Sequence, residues 1–268
     1  MPPRANADAD PVLVIDIGNT QTVLGVFIGE RLTGFWRLSS TVRRTADELA
    51  VFVQAMCGDW MRDLARSRQV IIGSVVPMLT DEFERMGERL FGARPFMVHN
   101  ELRTGVTLAI PDPSSLGADR IANAAAVAGG RLPAIVVDLG TATTFDVIGR
   151  GRRYRGGAIA PGVRTSADEL FHRAAKLPKV EIRRPRSPIG RTTEQSIQSG
   201  VFYGAVGSID GIVRQLERQL GGPARVIGTG GLAPLIAEAS ETITEVDEAL
   251  TLRGLARIAR LNRSGRRR

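Results

Sequence analysis

Cysteine is nearly absent from this chain. Cys57 stands alone, so no disulfide can form within it, and a reducing cytoplasm is the expected setting. Histidine is almost as scarce, with only His99 and His172. One thiol and two imidazoles are too few for a thiolate/imidazole zinc site, so any metal would be a hard cation held by oxygens. No apolar stretch approaches the length of a membrane span, and residues 1–11 (MPPRANADADP) lack the apolar core of a signal peptide; no membrane association is expected. Aromatics are only 5% of the residues, and no RRM, zinc-finger or other nucleic-acid motif occurs. Two familiar phosphate-binding strings are missing as well: there is no GxxxxGK(S/T) loop and no GxGxxG turn, each of which would open a helix.

What is present suits an ordinary globular protein, and 268 residues are enough for one large or two modest domains with a sizeable core. The net charge is +8, part of it in the tail RLNRSGRRR at 260–268. A basic tail suits nucleic acid or an anionic surface; the plainer reading, a solvated and frayed end, is preferred, and no nucleic-acid partner is expected.

One phrase occurs twice. Residues 12–27 read VLVIDIGNTQTVLGVF and residues 134–149 read AIVVDLGTATTFDVIG, aligning Asp16 with Asp138, Gly18 with Gly140 and Thr20 with Ala142 without a gap. In each, a Val/Ile-rich run stops at Asp and Gly and a second strand-like run follows, so each predicts a tight hairpin with its Asp at the turn. Such a turn is common in ordinary hairpins. Two aligned copies argue instead for phosphate binding, with the N–H groups of Gly18, Asn19, Thr20, Gly140, Thr141 and Ala142 as donors and an Asp beside each as a cation site.

The chain after each hairpin follows a similar plan. A third strand is predicted at 31–38, then a helix opened by the capping box Thr45–Glu48, with Leu49, Phe52, Val53, Met56, Trp60 and Leu64 as its apolar stripe. A buried strand at 70–73, a helix near 80–91 and a strand at 95–98 follow, and residues 99–114 read as a connector. GADRIANAAAVAGG (117–130) predicts a turn and an Ala-rich helix. After the second hairpin come a strand near 153–155, the loop GGAIAPG (156–162), a capping box at Ser166–Glu169 and a basic surface loop at 176–191. A long helix over about 194–220, a strand at 224–229, a Gly-Gly turn, a helix, a strand at TITEV and a last helix from about 248 complete it. Strands alternating with helices predict mixed sheets flanked by helices, in two halves divided between residues 115 and 116, facing a ligand-clamping cleft, with the last helix able to pack on the first half.

Two further groups bear chemistry. The turn Gly228–Gly231 after a strand lets another backbone come close, as adenine or ribose recognition needs; a plain strand-to-helix turn has the same string. At Gly117–Arg120, an Asp beside an Arg at a helix start is ordinarily a cap with a surface ion pair. The alternative puts both on one small substrate: Arg120 would grip a carboxylate or hydroxyl through its planar fork, and Asp119 would accept a hydroxyl proton. A carboxylate is a weak base toward an alcohol, but in phosphoryl transfer the proton leaves late and positioning carries most of the catalysis.

DIGNTQT, GADRIANAAA, VVDLGTATTFDVI, GGAIAPG and GTGGLAPL, in this order, resemble type III pantothenate kinase, a family within the acetate kinase/sugar kinase/Hsp70/actin superfamily. The resemblance runs from about residue 12 to 256 and takes in WRLSS, RTADEL, SVVP and RAAKLPKVEI. It implies two actin-like (ribonuclease H-like) halves with the active site between them, and transfer of the ATP γ-phosphate to the 4′-hydroxyl of pantothenate, the first step toward coenzyme A. Carried over, it makes Asp16, Ile17, Gly18, Asn19, Thr20, Gln21, Thr22 and Val23 the first ATP hairpin, with Asp16 placing Mg²⁺. Thr141, Gly230 and Gly231 become further ATP contacts, and Asp138 the ligand of a monovalent cation (K⁺ or ammonium). Gly117, Ala118, Asp119 and Arg120 become the pantothenate loop, with Asp119 as proton acceptor. Thr193 matches a substrate contact from a partner subunit, which implies a homodimer. The segment departs from the family at Pro111–Ser115, where Asp-Asn-Pro is frequent, at Ile110, where some members place a Tyr, and at Arg191–Thr192, where Lys-Asn is usual. Two other readings stay open: a superfamily kinase for a sugar or acetate, and a non-catalytic nucleotide-binding regulator touching DNA through its basic tail.

Overall fold

The computed structural model describes residues 10–174 and 177–263. Strand β1 (Pro11–Ile17) is apolar on both sides: Leu13, Ile15 and Ile17 belong to one core cluster, Val12 and Val14 to another. Successive side chains alternate across a strand, so an unbroken apolar run marks one covered on both faces. β2 (Gln21–Ile28) and β3 (Arg31–Ser39) follow as antiparallel neighbours. Helix α1 (Ala46–Met56) opens with the expected capping box, Thr45 accepting from the Glu48 amide while the Glu48 side chain accepts from that of Thr45. The stripe expected to run on to Leu64 is broken after Met56 by a 3-10 turn (Gly58–Trp60) before α2 (Met61–Ser67). Phe52 is 42% exposed and leaves the stripe, whereas Leu49, Val53 and Leu64 are buried and Trp60 meets the edge of Trp36. β4 (Val70–Ser74) pairs parallel to β1, then come α3 (Pro77–Phe91) and β5 (Phe96–Met97), giving the order β3-β2-β1-β4-β5.

The connector holds a short strand β6 (Thr107–Leu108) that the sequence did not announce, and α4 (Ala118–Val127) follows. The second repeat comprises β7 (Ala134–Leu139), β8 (Ala142–Gly149), β9 (Arg153–Pro161), α5 (Val163–Arg173), α6 (Thr193–Leu220), β10 (Arg225–Thr229), α7 (Ala233–Ala237) and β11 (Glu245–Val246). Helix α8 (Leu250–Asn262) closes the described chain. The second sheet is ordered β11-β10-β7-β8-β9-β6, so β9-β8-β7-β10-β11 repeats the first, with β6 added at the edge. The duplicated phrase thus heads a duplicated topology, with a mixed sheet flanked by helices in each copy.

Two compact units result, though not from one cut. The first takes the chain up to Val106, Pro111–Gly129 and everything from Leu250, hence the first sheet with α1–α4 and α8; the second takes Thr107–Ile110 and Gly130–Ala249. The boundary expected between 115 and 116 gives α4 to the other half. Its Ile121, Ala122 and Ala125 instead join Val12, Val14, Leu252, Leu255 and Ile258 in one core cluster.

Two local expectations are corrected. Residues 156–161, read as a loop, are strand, since β9 pairs with β8 as far as Pro161 opposite Ala142. The box at Ser166–Glu169 lies inside α5, which starts at Val163 after Gly162. The basic tail also begins as structure: Arg260 donates to the Gly29 carbonyl at 2.8 Å and Arg263 to that of Asp10 at 3.0 Å. The rest of that tail, 264–268, lies outside the described residues. No described helix is long and apolar enough to cross a membrane.

A polar anchor inside the second unit fixes the loop after α7. Asp210 on α6 is 4% exposed and accepts from Ser240 Oγ (2.6 Å), Thr242 Oγ1 (2.7 Å) and the Glu241 amide (3.0 Å). Burial pushes its pKa up, but these donors outweigh it and hold the carboxyl below the usual carboxylate range. A carboxyl so depressed adds stability above its unfolded pKa of about 3.9, and loses it as pH falls through the lower folded value. Asp210→Ala is expected to cost about 2–4 kcal/mol at pH 7. The deficit should shrink below about pH 4, as urea titrations across that range would measure. A deficit that stays constant with pH would mean the charge is not what holds the loop.

Candidate active site

Both hairpins end where strands of their sheets run parallel, at carboxyl ends, the edge where open α/β sheets bind ligands. Asp16 lies beside Gly73 of β4, and Asp138 beside Thr229 of β10, at equivalent positions in the two sheets. Both carboxylate-bearing residues are half-buried, while Asn19, Thr20, Gly140 and Thr141 are exposed. In the first turn the Gly18 amide donates to the Gln21 carbonyl at 3.0 Å, and Ser40 steadies it from the side. The Ser40 amide donates to the Thr20 carbonyl at 2.9 Å, and its hydroxyl lies 2.9 Å from that of Thr22. The expected ATP positions therefore split: Gly18–Gln21 form the open turn, whereas the Ile17 and Thr22 side chains are buried beneath it and Val23 half-buried.

The second turn is clamped by neighbours to which the sequence assigned no role. The Gly140 amide donates to the Ala142 carbonyl at 3.1 Å, and Thr165 Oγ1 to the Thr141 carbonyl at 2.7 Å. Gly162, the residue before α5, lies so close that a β-carbon there would be 2.2 Å from the Thr141 carbonyl oxygen. That contact brings the N-terminus of α5 to Gly140–Thr141, where its first amides add positive potential. The one visible signal was the final glycine of GGAIAPG. Gly230 has φ +87°, and a β-carbon on it would lie 2.8 Å from Asp138 Oδ1 and from the Leu139 carbonyl. The glycine turn after β10 therefore packs on the Asp138 hairpin. Gly231 has open space around it.

In the first unit, GADR is brought to the end of β1 through Val75. The Val75 amide donates to the Ile17 carbonyl at 3.1 Å, and its side chain approaches Gly117, where a β-carbon would be 3.5 Å from Cγ1. The same β-carbon would strike Asp119 Oδ1 at 2.5 Å, so glycine at 117 leaves room for that carboxylate. Gly117 itself, not Asp119, is the residue capping α4; Asp119 Oδ1 accepts the Arg120 amide at 2.8 Å inside the first turn. Ala118 is buried, and Asp119 and Arg120 are half-buried. Upstream, Asp112 accepts from Ser114, whose side chain and amide hold its carboxyl below the usual range, and Ile110 lies near Gly156 of β9.

Thr193 is in the other unit, exposed in the first turn of α6. It lines an open, largely apolar groove of about 780 Å³ with Thr143, Pro161, Ser166, Leu170 and Gly204. Cys57 is buried, and burial pushes its thiol up to about 11, which removes it as a nucleophile at neutral pH.

Comparison with known proteins identifies the family. The profile of the family described as type III pantothenate kinase matches residues 12–215. A type III pantothenate kinase of Geobacter sulfurreducens is 47% identical, covering 94% of this chain and 99% of its own. That of Myxococcus xanthus is 45% identical, covering 91% and 96%. Among solved structures, a Campylobacter jejuni protein described as a Baf family transcriptional activator superposes with a TM-score of 0.59 over 94% of this chain and 100% of its own, at 20% identity, a likeness of fold alone. On the family profile and near-complete relatives at 45–47% identity, the chain belongs to the type III pantothenate kinase family.

Proposed function

We propose that this protein transfers the γ-phosphate of ATP to pantothenate, giving 4′-phosphopantothenate and ADP at the entry to coenzyme A synthesis. The observation that carries the reading is the identity of 47% along essentially the whole length of a named pantothenate kinase. The oxygen of the 4′-hydroxyl attacks the γ-phosphorus, the bond from phosphorus to the bridging oxygen breaks, ADP departs, and the hydroxyl proton passes to Asp119. Arg120 holds the pantothenate carboxylate, and Gly117 and Ala118 shape the loop around it. Amides of Asn19–Gln21 and Thr141 take the phosphates, those of Gly18 and Gly140 being engaged inside their own turns, with Ile17, Thr22 and Val23 supporting the first turn and Gly230–Gly231 serving the nucleoside. Support for this division comes from the exposed turns and the buried residues beneath them.

A divalent cation fits Asp16 and a monovalent one fits Asp138. Among the described residues no three His, Cys, Asp or Glu side chains cluster as a metal cage, so each ion would share one carboxylate with phosphate and water oxygens, as Mg²⁺ commonly does. Bound there, the ions neutralise charge on the phosphates. Omitting K⁺ and ammonium in favour of sodium is expected to lower turnover about tenfold, equivalent to roughly 1.4 kcal/mol. Asp138→Ala should abolish the response to K⁺; a response that survives would remove Asp138 from the role. A homodimer is supported by the exposed Ile159, Leu170, Ile189 and Tyr203 of the second unit and by exposed Thr193, which would serve the substrate of the other copy. The single buried cysteine suits a reducing cytoplasm.

ATP-dependent phosphorylation across pantothenate, sugars and acetate tests the reading directly. Turnover of pantothenate alone is expected; turnover of a sugar without pantothenate would overturn it.

A further inference from the structure

Helix α4 offers α8 a surface with little relief. Ala122 and Ala125 pack with Leu252, Leu255 and Ile258, and a β-carbon on Gly254 would lie 1.9 Å from the Ala122 carbonyl oxygen. Small side chains let two backbones approach closely, but they make shallow ridges that resist sliding and rotation poorly. A directional contact crosses this seam. Thr251 Oγ1 donates to Asn123 Oδ1 at 2.9 Å, and Asn123 is fully buried. A buried amide carries a desolvation cost that another alanine would not. What it adds is register, because a hydrogen bond weakens steeply with distance and angle. Asn123 follows Asp119 by one helical turn, on the same side of the helix whose first turn carries Asp119 and Arg120.

We propose that the Thr251–Asn123 hydrogen bond positions the reactive turn: it sets the rotation and depth of α4 so that Asp119 and Arg120 meet the substrate in working geometry. The inference rests on Asp119 being the proton acceptor. Thr251 and Asn123 are positioning residues; they act through α4 and need not touch pantothenate.

The test is a double-variant cycle on the full-length protein, with kcat referred to ATP-binding sites titrated in each preparation, so that lost folded protein does not count as lost catalysis. Thr251→Val, close in shape but without the hydroxyl, is expected to lower kcat roughly tenfold with the KM for ATP unchanged. Thr251→Ser restores the donor and should recover most of that loss. In an Asp119→Asn background Thr251→Val should cost almost nothing further, because the group it positions is already disabled. Full activity in Thr251→Val, a serine variant as poor as the valine one, or the same tenfold loss in both backgrounds would each overturn the proposal. Near-normal turnover in Asp119→Asn alone would sink the assignment of Asp119 and the inference with it. A disabled Asp119→Asn beside an unaffected Thr251→Val would sink only the inference.

Discussion

Asp119→Asn is expected to lower kcat by roughly two to four orders of magnitude while ATP binding barely changes. The surroundings of Asp119 make this substitution a clean one. Its Oδ1 accepts the Arg120 amide at 2.8 Å, a bond that an asparagine carbonyl oxygen can also make. The cap of α4 is Gly117, so the helix start does not depend on the carboxylate. Asparagine fills the space that Gly117 leaves open and removes chiefly the charge, which in the proposed reaction receives the hydroxyl proton. Steady-state kinetics with saturating ATP, together with nucleotide titration, separate the two effects. Turnover close to wild type would make Asp119 a structural residue at the start of α4. Arg120→Ala, in the same assay, should act chiefly on the KM for pantothenate.

Gly230→Ala is expected to cost about two orders of magnitude in kcat/KM for ATP and several degrees of melting temperature. The backbone at 230 has φ +87°, a region where a β-carbon costs about 1–2 kcal/mol. The added methyl would also press on Asp138 Oδ1 and on the carbonyl of Leu139, both at 2.8 Å. Leu139 is a fixed strand of the sheet rather than the end of a flexible side chain, so the hairpin bearing Asp138 has to shift. A displacement of about 1 Å can cost a hundredfold in rate. For a chain of this size 1 kcal/mol moves the melting temperature by about 2–4 °C. Gly231→Ala serves as the comparison for stability, since that position has open space and no positive φ. Equal melting temperatures for the two variants would show that the turn gives way without moving the hairpin.

Several features were legible from sequence because their causes are local. β1 and β7 announce themselves as unbroken apolar runs, the pattern of strands buried on both faces. The capping box of α1 joins residues three apart, Thr45 and Glu48, and needs no distant partner. Repetition of one phrase was enough to expect a repeated topology, and the order of motifs along the chain was enough to expect the family. Tertiary structure decided the rest, through contacts between residues far apart in the chain. The glycine-rich 156–161 is a strand because β8 offers it a partner, and pairing overrides weak local propensity. Ser166–Glu169 has the letters of a helix start but lies inside a helix that Gly162 had already opened against Thr141. Helix α4 joins the first unit because Gly254 lets α8 come against Ala122, a fit between residues on different helices that no local pattern encodes. For the same reason the glycines at 117, 162 and 230 could be seen as glycines but not given their tasks. Each is required by an atom brought beside it only by folding: the Asp119 carboxylate, the Thr141 carbonyl, and the strand end that carries Asp138.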